Sequence, residues 1–217
     1  MRKDELVSLI RSTEGYTNPK VQLEQYCIDA ASAVNIVFFA GIEHDDIKSK
    51  VVLDLGTGTG RLSITSAFLR AQTIISVDID PQAIKILREN MNNLNLSHII
   101  NPIITDIGCL EFSRNFIEDY EITTIMNPPF GVQTRQADRI FLQKAFTFSD
   151  VIYSIHMAGK QVQRFLKEFS RNFGWIIDYT YPFLMTLEKS YLFHTKKTKK
   201  IQTQVYRFIQ KDSKKRK

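Results

Sequence analysis

The sequence predicts an α/β fold built on one mostly parallel sheet with helices on both faces. Three observations predict it. Short runs such as "KVVLDLG" and "TIISVDID" are apolar throughout, helical periodicity separates successive runs, and glycine or aspartate marks the points where the runs end. Strands buried on both faces, each followed by a helix, are the pattern of a parallel sheet covered on two sides.

The elements follow in order. "KDELVSLIRSTEG" places Leu6, Leu9 and Ile10 at helical spacing and stops at Gly15; a second helical pattern follows Pro19 and runs to Gly41. After these two come the strand "KVVLDLG", the helix "GRLSITSAFLR" and the strand "TIISVDID". "PQAIKILRENMNNL" opens with Pro81 at the first helical position and Asp80 as its cap. Strands "IINPIITD" and "ITTIMN", helix "ADRIFLQKAFTFS", strand "VIYSIH" and helix "KQVQRFLKEFSRNF" continue the alternation. "WIIDYTYPFLM" and "TQVYRFIQ" come without a helix between them, which implies an antiparallel pair closing the sheet.

Composition narrows the functional classes. A chain of 217 residues, 43% hydrophobic and 24% charged, is expected to form a single domain spanning 1–217. A net charge of +6 and a pI near 9.2 favour anionic partners, and the excess collects in "HTKKTKK" and in a basic tail, 211–217, expected to be disordered. Cys27 and Cys109 lack disulfide or zinc-site spacing, and the four histidines lack any metal-binding pattern, so no metal is expected. No signal peptide is read at "MRKDEL", and the longest apolar region, Ala30 to Ile42, is too short to span a bilayer. The expectation is a cytoplasmic protein without a membrane partner.

In such a sheet a ligand sits beyond the carboxyl ends of the strands. "DLGTGTG", Asp54 to Gly60, lies at such an end, and Gly56 and Gly58 allow close approach of a ligand to the backbone. The spacing is GxGxG, so neither the dinucleotide fingerprint nor the P-loop is satisfied. Acids mark the site instead: Asp54 before the glycines, Asp78 ending the second strand, Asp106 ending the third. Three carboxylates repel a triphosphate but suit a ligand with a ribose, an ammonium and a sulfonium, which describes S-adenosylmethionine.

"ITTIMNPPFG" ends an apolar strand in two prolines and an aromatic. The tetrapeptide Asn127-Pro128-Pro129-Phe130 resembles the signature of the class I amino-methyltransferases: Asp, Asn or Ser, then Pro-Pro and an aromatic. The exocyclic amine of adenine is a poor nucleophile because its lone pair is delocalised into the ring. Acceptors aimed at its protons, the Asn127 side-chain oxygen and the Pro128 carbonyl, localise that pair toward the methyl donor. The prolines hold those acceptors in place, and Phe130 offers a face on which an extruded base stacks.

A closer resemblance covers nearly the whole chain. "NPKVQLEQY", "DLGTGTGRLSI", "VDID", "NPPFG", "YSIH" and "FHTKKTKKIQTQVYRF" are similar to the methyltransferase-like protein 5 family, which makes N6-methyladenosine in small-subunit ribosomal RNA. The resemblance implies the class I methyltransferase Rossmann-like fold, seven strands with the last antiparallel and an N-terminal helical segment, 1–45, covering the cofactor site. It further implies that Gln25 folds that segment over S-adenosylmethionine, that Asp78 holds the ribose, and that Asp106 lies near the adenine.

For RNA, Arg135, Arg139, Lys196, Lys197, Lys199 and Lys200 are the expected phosphate contacts. The family also implies a small zinc-binding activator protein docked on an edge strand, here Ile99 to Thr105, whose visible guard against strand addition is Pro102. Cys27 and Ile28 stand where the family continues with Pro-Thr, removing a polar cofactor contact, and Met157 stands where it has lysine. Two alternatives stay open: methylation of a protein glutamine, whose planar amide the same tetrapeptide activates, and a non-catalytic RNA-binding scaffold.

Overall fold

Strand β1 (Val51–Leu55) is buried at all five residues, so neither of its faces meets water. Its side chains divide by alternation. Val52 joins a core with Leu6, Ile10, Val34, Ile64 and Leu87, while Val51, Leu53 and Leu55 join another with Leu142, Phe146, Leu166 and Phe208. Around it β2 (Thr73–Asp78), β3 (Ile100–Ile104), β4 (Ile122–Met126), β5 (Val151–Met157), β6 (Trp175–Glu188) and β7 (Thr198–Gln210) make a seven-stranded sheet in the order β3-β2-β1-β4-β5-β7-β6. Pairing is parallel from β3 to β5, and β7 runs antiparallel to both β5 and β6. This computed structural model describes residues 1–131, 137–188 and 198–211.

One face carries α1 (Lys3–Arg11), α2 (Ala30–Phe38), α3 (Arg61–Phe68) and α4 (Pro81–Asn93); the other carries α5 (Arg114–Asp119), α6 (Ala137–Phe148) and α7 (Lys160–Arg171). The expected start of α4 is found, with the Asp80 side chain accepting from the Gln82 N–H. None of the helices among the described residues is long and apolar enough to cross a membrane.

Two expectations need correction. The single helix from Pro19 to Gly41 is instead a short 3₁₀ turn, Val21–Leu23, an irregular run over 24–29, and α2, which continues as a π-helical turn through Phe39–Glu43. Asp29 restarts the helix by accepting from the Ser32 N–H, and the Gln25 side chain bonds far away in sequence, so tertiary contacts override local periodicity. Helix α5 went unread because its short run, RNFIED, has no buried residue and therefore no apolar stripe.

Two features at the sheet margins bear on function. Strand β3 is an edge, as expected, and Ile104 is 48% exposed there while Ile100 is buried. On the other side, β5 ends at Met157 opposite Thr203, but β7 and β6 go on pairing from Gln202↔Leu184 to Thr198↔Glu188. A two-stranded arm of about 17 Å therefore projects past the sheet, at the end where the parallel strands finish.

Candidate active site

The glycine loop sits where the topology requires, beyond the end of β1. Gly56 N–H and Thr57 N–H both donate to the Val77 carbonyl, at 2.8 and 2.9 Å, which ties the loop to β2. Gly58 (φ +56°) lies beneath Tyr16: a Cβ there would stand 2.6 Å from the phenolic oxygen. Only glycine meets both conditions.

Asp78 organises the loop from the end of β2. Its carboxylate accepts from the Gly58 N–H at 2.8 Å and the Asp80 N–H at 2.9 Å, and burial pushes its pKa up. Asp80 beside it is the anchor of the N-terminal segment. Lys20 Nζ donates to it at 2.8 Å and Gln25 Nε2 at 2.7 Å, while Gln25 Oε1 accepts from the Lys20 N–H. Burial raises the Asp80 pKa, but those two hydrogen bonds outweigh it and hold the carboxyl below its usual range. Asn90 of α4 adds a second fastening, donating to the carbonyls of Glu14 and Thr59 and accepting from the Glu14 N–H.

The segment held in this way closes over a cavity of about 390 Å³, within the range of small-molecule sites. Gln25, Gly56, Gly58, Asp78, Asp106, Asn127 and Pro129 all border it, so seven of the ten expected cofactor and catalytic residues meet at one place. Asp78 presents a carboxylate, and Ile79, Ile107, Ile140 and Phe141 supply apolar walls. An adenosine with a charged tail fits that chemistry: flat apolar surface for the purine, an acid for the ribose, glycine backbone for close approach. Asp106, exposed, also accepts from the Gly108 N–H at 2.7 Å.

The other three expected residues stand elsewhere. Asp54 is fully buried beneath the loop and not in the cavity; one of its oxygens accepts from Thr57 Oγ1, Ser63 N–H and Ser63 Oγ, and the other has no partner. That desolvation raises its pKa to about 6. It lies in the fourth of five buried β1 positions and is turned toward Thr57 and Ser63. Pro128 is buried. Phe130 lies behind Tyr26, against whose ring it stacks with centroids 5.7 Å apart and planes 26° apart.

Met126, the last residue of β4, pairs with Leu55 on one side and Ser154 on the other, which brings Asn127 beside the glycine loop. Asn127 Oδ1 accepts from the Tyr26 hydroxyl at 3.1 Å. The acceptor expected to meet an adenine amine is thus engaged by a residue of the N-terminal segment. His156, nearby on β5, is buried, and desolvation lowers its pKa to about 3, so it is neutral and hydrogen-bonded to Ser154 Oγ rather than ion-paired with Asp138 at 3.7 Å.

Among the expected RNA contacts, Lys200 is exposed on the arm and Lys199 lies in the same strand. Arg139 is half-buried, its guanidinium over the rings of Phe165 (4.8 Å) and Phe169 (5.9 Å), which joins α6 to α7. Arg135, Lys196 and Lys197 lie outside the described residues, as do 212–217 of the tail. The arm is fastened midway along its length: Thr186 N–H donates to Asp29 Oδ2 at 2.8 Å, the same aspartate that caps α2.

Sequence reading missed Tyr16, Tyr26 and Arg61, all lining the cavity. Tyr26 stood within the quoted "LEQY", and Arg61 directly follows the glycine loop; neither residue type carries a short motif of its own.

Comparison with known proteins agrees with this geometry. The family model for ribosomal protein L11 methyltransferase matches residues 30–113, which hold the glycine loop and the three aspartates. The solved structure of PH1948 from Pyrococcus horikoshii, described as a candidate RNA methyltransferase, superposes with a TM-score of 0.86 at 37% identity, covering 97% of this chain and 98% of its own. A candidate protein N5-glutamine methyltransferase of Methanocaldococcus jannaschii, MJ0928, is 41% identical over 105 residues, 48% of each chain. The rRNA N6-adenosine-methyltransferase METTL5 of Danio rerio is 32% identical over 212 residues, covering 96% of this chain and 99% of that protein. With this fold and this cavity, the chain belongs to the METTL5 family, S-adenosylmethionine-dependent methyltransferases of class I.

Proposed function

We propose that this protein transfers a methyl group to N6 of an adenosine in small-subunit ribosomal RNA, in the cytoplasm. The observation that carries the reading is the joint presence of Asn127 and Pro129 on the wall of the cavity that also holds Asp78 and the glycine loop. When bound there, S-adenosylmethionine supplies an electrophilic methyl on a positive sulfonium. Asp78 holds the ribose diol; Asn127 Oδ1 and the Pro128 carbonyl accept the two amine protons and direct the nitrogen lone pair toward the methyl. Phe130 stacks on Tyr26 here, and a base would stack on it by taking the place of that ring.

The arm of β6 and β7 supports a polyanionic substrate. It projects at the catalytic end of the sheet and carries Lys199 and Lys200, which serve as phosphate contacts with Arg135, Arg139, Lys196 and Lys197. Binding is expected to weaken steeply with salt, and replacing Lys199 and Lys200 by Gln to flatten that dependence. An unchanged slope removes them from the interface.

The deciding experiment is mass spectrometry of nucleosides from small ribosomal subunits incubated with the protein and labelled cofactor. N6-methyladenosine is expected. Label in methylglutamine instead would favour the second reading, which the local similarity to MJ0928 supports, and no label in either product would leave the scaffold reading.

We also propose that the open edge of β3 receives the small zinc-binding activator of this family by strand addition. Ile104→Lys is expected to weaken that complex; Ile100→Lys is not a usable probe, because Ile100 is buried and its replacement reads on folding. A protein that is stable and fully active alone, with the Ile104 variant unaltered, defeats this part of the proposal.

A further inference from the structure

Arg61 is a buried cation with no carboxylate in ion-pair range among the described residues. It is 6% exposed and is the first residue of α3, directly behind the glycine loop. Two of its five N–H groups are used: Nη1 donates to the Ile28 carbonyl at 2.7 Å and Nε makes a long contact, 3.4 Å, to Thr13 Oγ1. Both partners are neutral. Its other nitrogen is not sealed in the core either, since the buried side-chain atom lacking a partner is Asp54 Oδ1 and not one of Arg61's. Arg61 is among the residues that line the cavity, and so is Ile28, whose carbonyl its Nη1 meets.

A guanidinium keeps its proton in proteins, so burial cannot be relieved by neutralisation. Removing such a charge from water is costly unless an anion meets it. Asp78, the buried acid on the cavity wall, is committed to the Gly58 and Asp80 N–H groups.

We propose that Arg61 binds the α-carboxylate of S-adenosylmethionine and makes the cavity selective for adenosine thioethers that carry one. The proposal rests on the reading of this cavity as the cofactor site. The planar fork matches a carboxylate, and Ile28 O and Thr13 hold the side chain so that little freedom is lost on binding. The two ends of the ligand are then sorted by charge: the diol goes to the acid at the tip of β2, the carboxylate to the cation at the start of α3.

The test compares S-adenosylhomocysteine, which has the carboxylate, with 5′-methylthioadenosine, which shares the adenosine and thioether and lacks it. Calorimetry on the wild-type chain is expected to show a clear preference for the former. Arg61→Gln should weaken S-adenosylhomocysteine by about tenfold to a hundredfold, the range for a hydrogen bond to a charged group, and leave 5′-methylthioadenosine unchanged. Arg61→Lys, which keeps the charge, should fall between, and it carries the test if the Gln variant does not fold. Equal weakening of both ligands would show that Arg61 merely shapes the segment over Ile28, and no weakening of either would also overturn the proposal. If the wild type binds neither compound, the reading of the cavity itself fails, and the role of Arg61 falls with it.

Discussion

The cofactor end and the base end of this cavity are built from different materials. At the cofactor end, Asp78, Asp80, Lys20, Gln25 and Asn90 form a web in which carboxylates and amides meet N–H groups and carbonyls at 2.7 to 3.1 Å. At the proposed base end the described residues include two prolines, a stack of Phe130 on Tyr26, and a hydrogen bond from Tyr26 to Asn127. A ligand with fixed charges rewards a rigid polar frame, because donors held in advance need no reorganisation. A base drawn out of an RNA stack needs a face that tolerates displacement, and π-contacts are less directional than hydrogen bonds. Under the proposed function, the difference would place rigidity where the methyl donor is held and exchangeable contacts where the acceptor enters.

Substitutions can break that division, and the largest effect is expected at the base end. Asn127→Ala removes one preorganised acceptor and should lower methyl transfer by about a hundredfold or more, while calorimetric affinity for S-adenosylhomocysteine stays near wild type. A variant with near-normal turnover would show that the tip of β4 is not the acceptor. Next in size is Asp78→Ala, expected to weaken cofactor binding by roughly 1–3 kcal/mol, since it removes the ribose contact and frees the Gly58 and Asp80 N–H groups. Undiminished affinity would move the ribose elsewhere.

Tyr26→Phe sharpens the contrast rather than breaking it. The ring and its stack remain, and one competing donor leaves Asn127 Oδ1, so the KM for RNA should fall by about the few-fold that one neutral hydrogen bond represents, with cofactor affinity unchanged. A rise in KM would mean that the hydroxyl helps to position Asn127.

The smallest expected effect concerns stability. Asp54 has its folded pKa raised to about 6 by burial, so it favours folding below the ordinary carboxylate range and loses that contribution as pH rises through about 6. Asp54→Asn cannot titrate. Its melting temperature relative to wild type should therefore climb by a few degrees between about pH 5 and pH 7, and a constant difference across that interval would mean that Asp54 stays charged throughout.

Much of this was legible in local sequence, and the remainder for identifiable reasons was not. Strands β1 and β2 and the Asp80-Pro81 start of α4 rest on short-range chemistry: period, cap and fixed φ. The place of the NPPF segment at the end of a strand was legible because an apolar run that stops in two prolines cannot continue the ladder. Asp54 was misplaced because a carboxylate one residue before a loop reads as an exposed group, whereas the β1 pleat turns it inward. Arg61 and Tyr26 were missed because their roles depend on partners 33 and 101 residues away. Arg139 was read as a free loop cation, and its two phenylalanines belong to a different helix.

Asp29 joins three parts of the molecule. It follows Ile28, whose carbonyl holds Arg61; it caps α2; and it accepts from Thr186 in the middle of the arm. If Arg61 holds the cofactor and the arm holds RNA, as proposed, this corner lies between the two sites, and any coupling between them must be reciprocal. If cofactor occupancy strengthens the grip of the arm on RNA by some factor, RNA must strengthen cofactor binding by that same factor, and the product, which has lost the sulfonium charge, is free to be held on different terms.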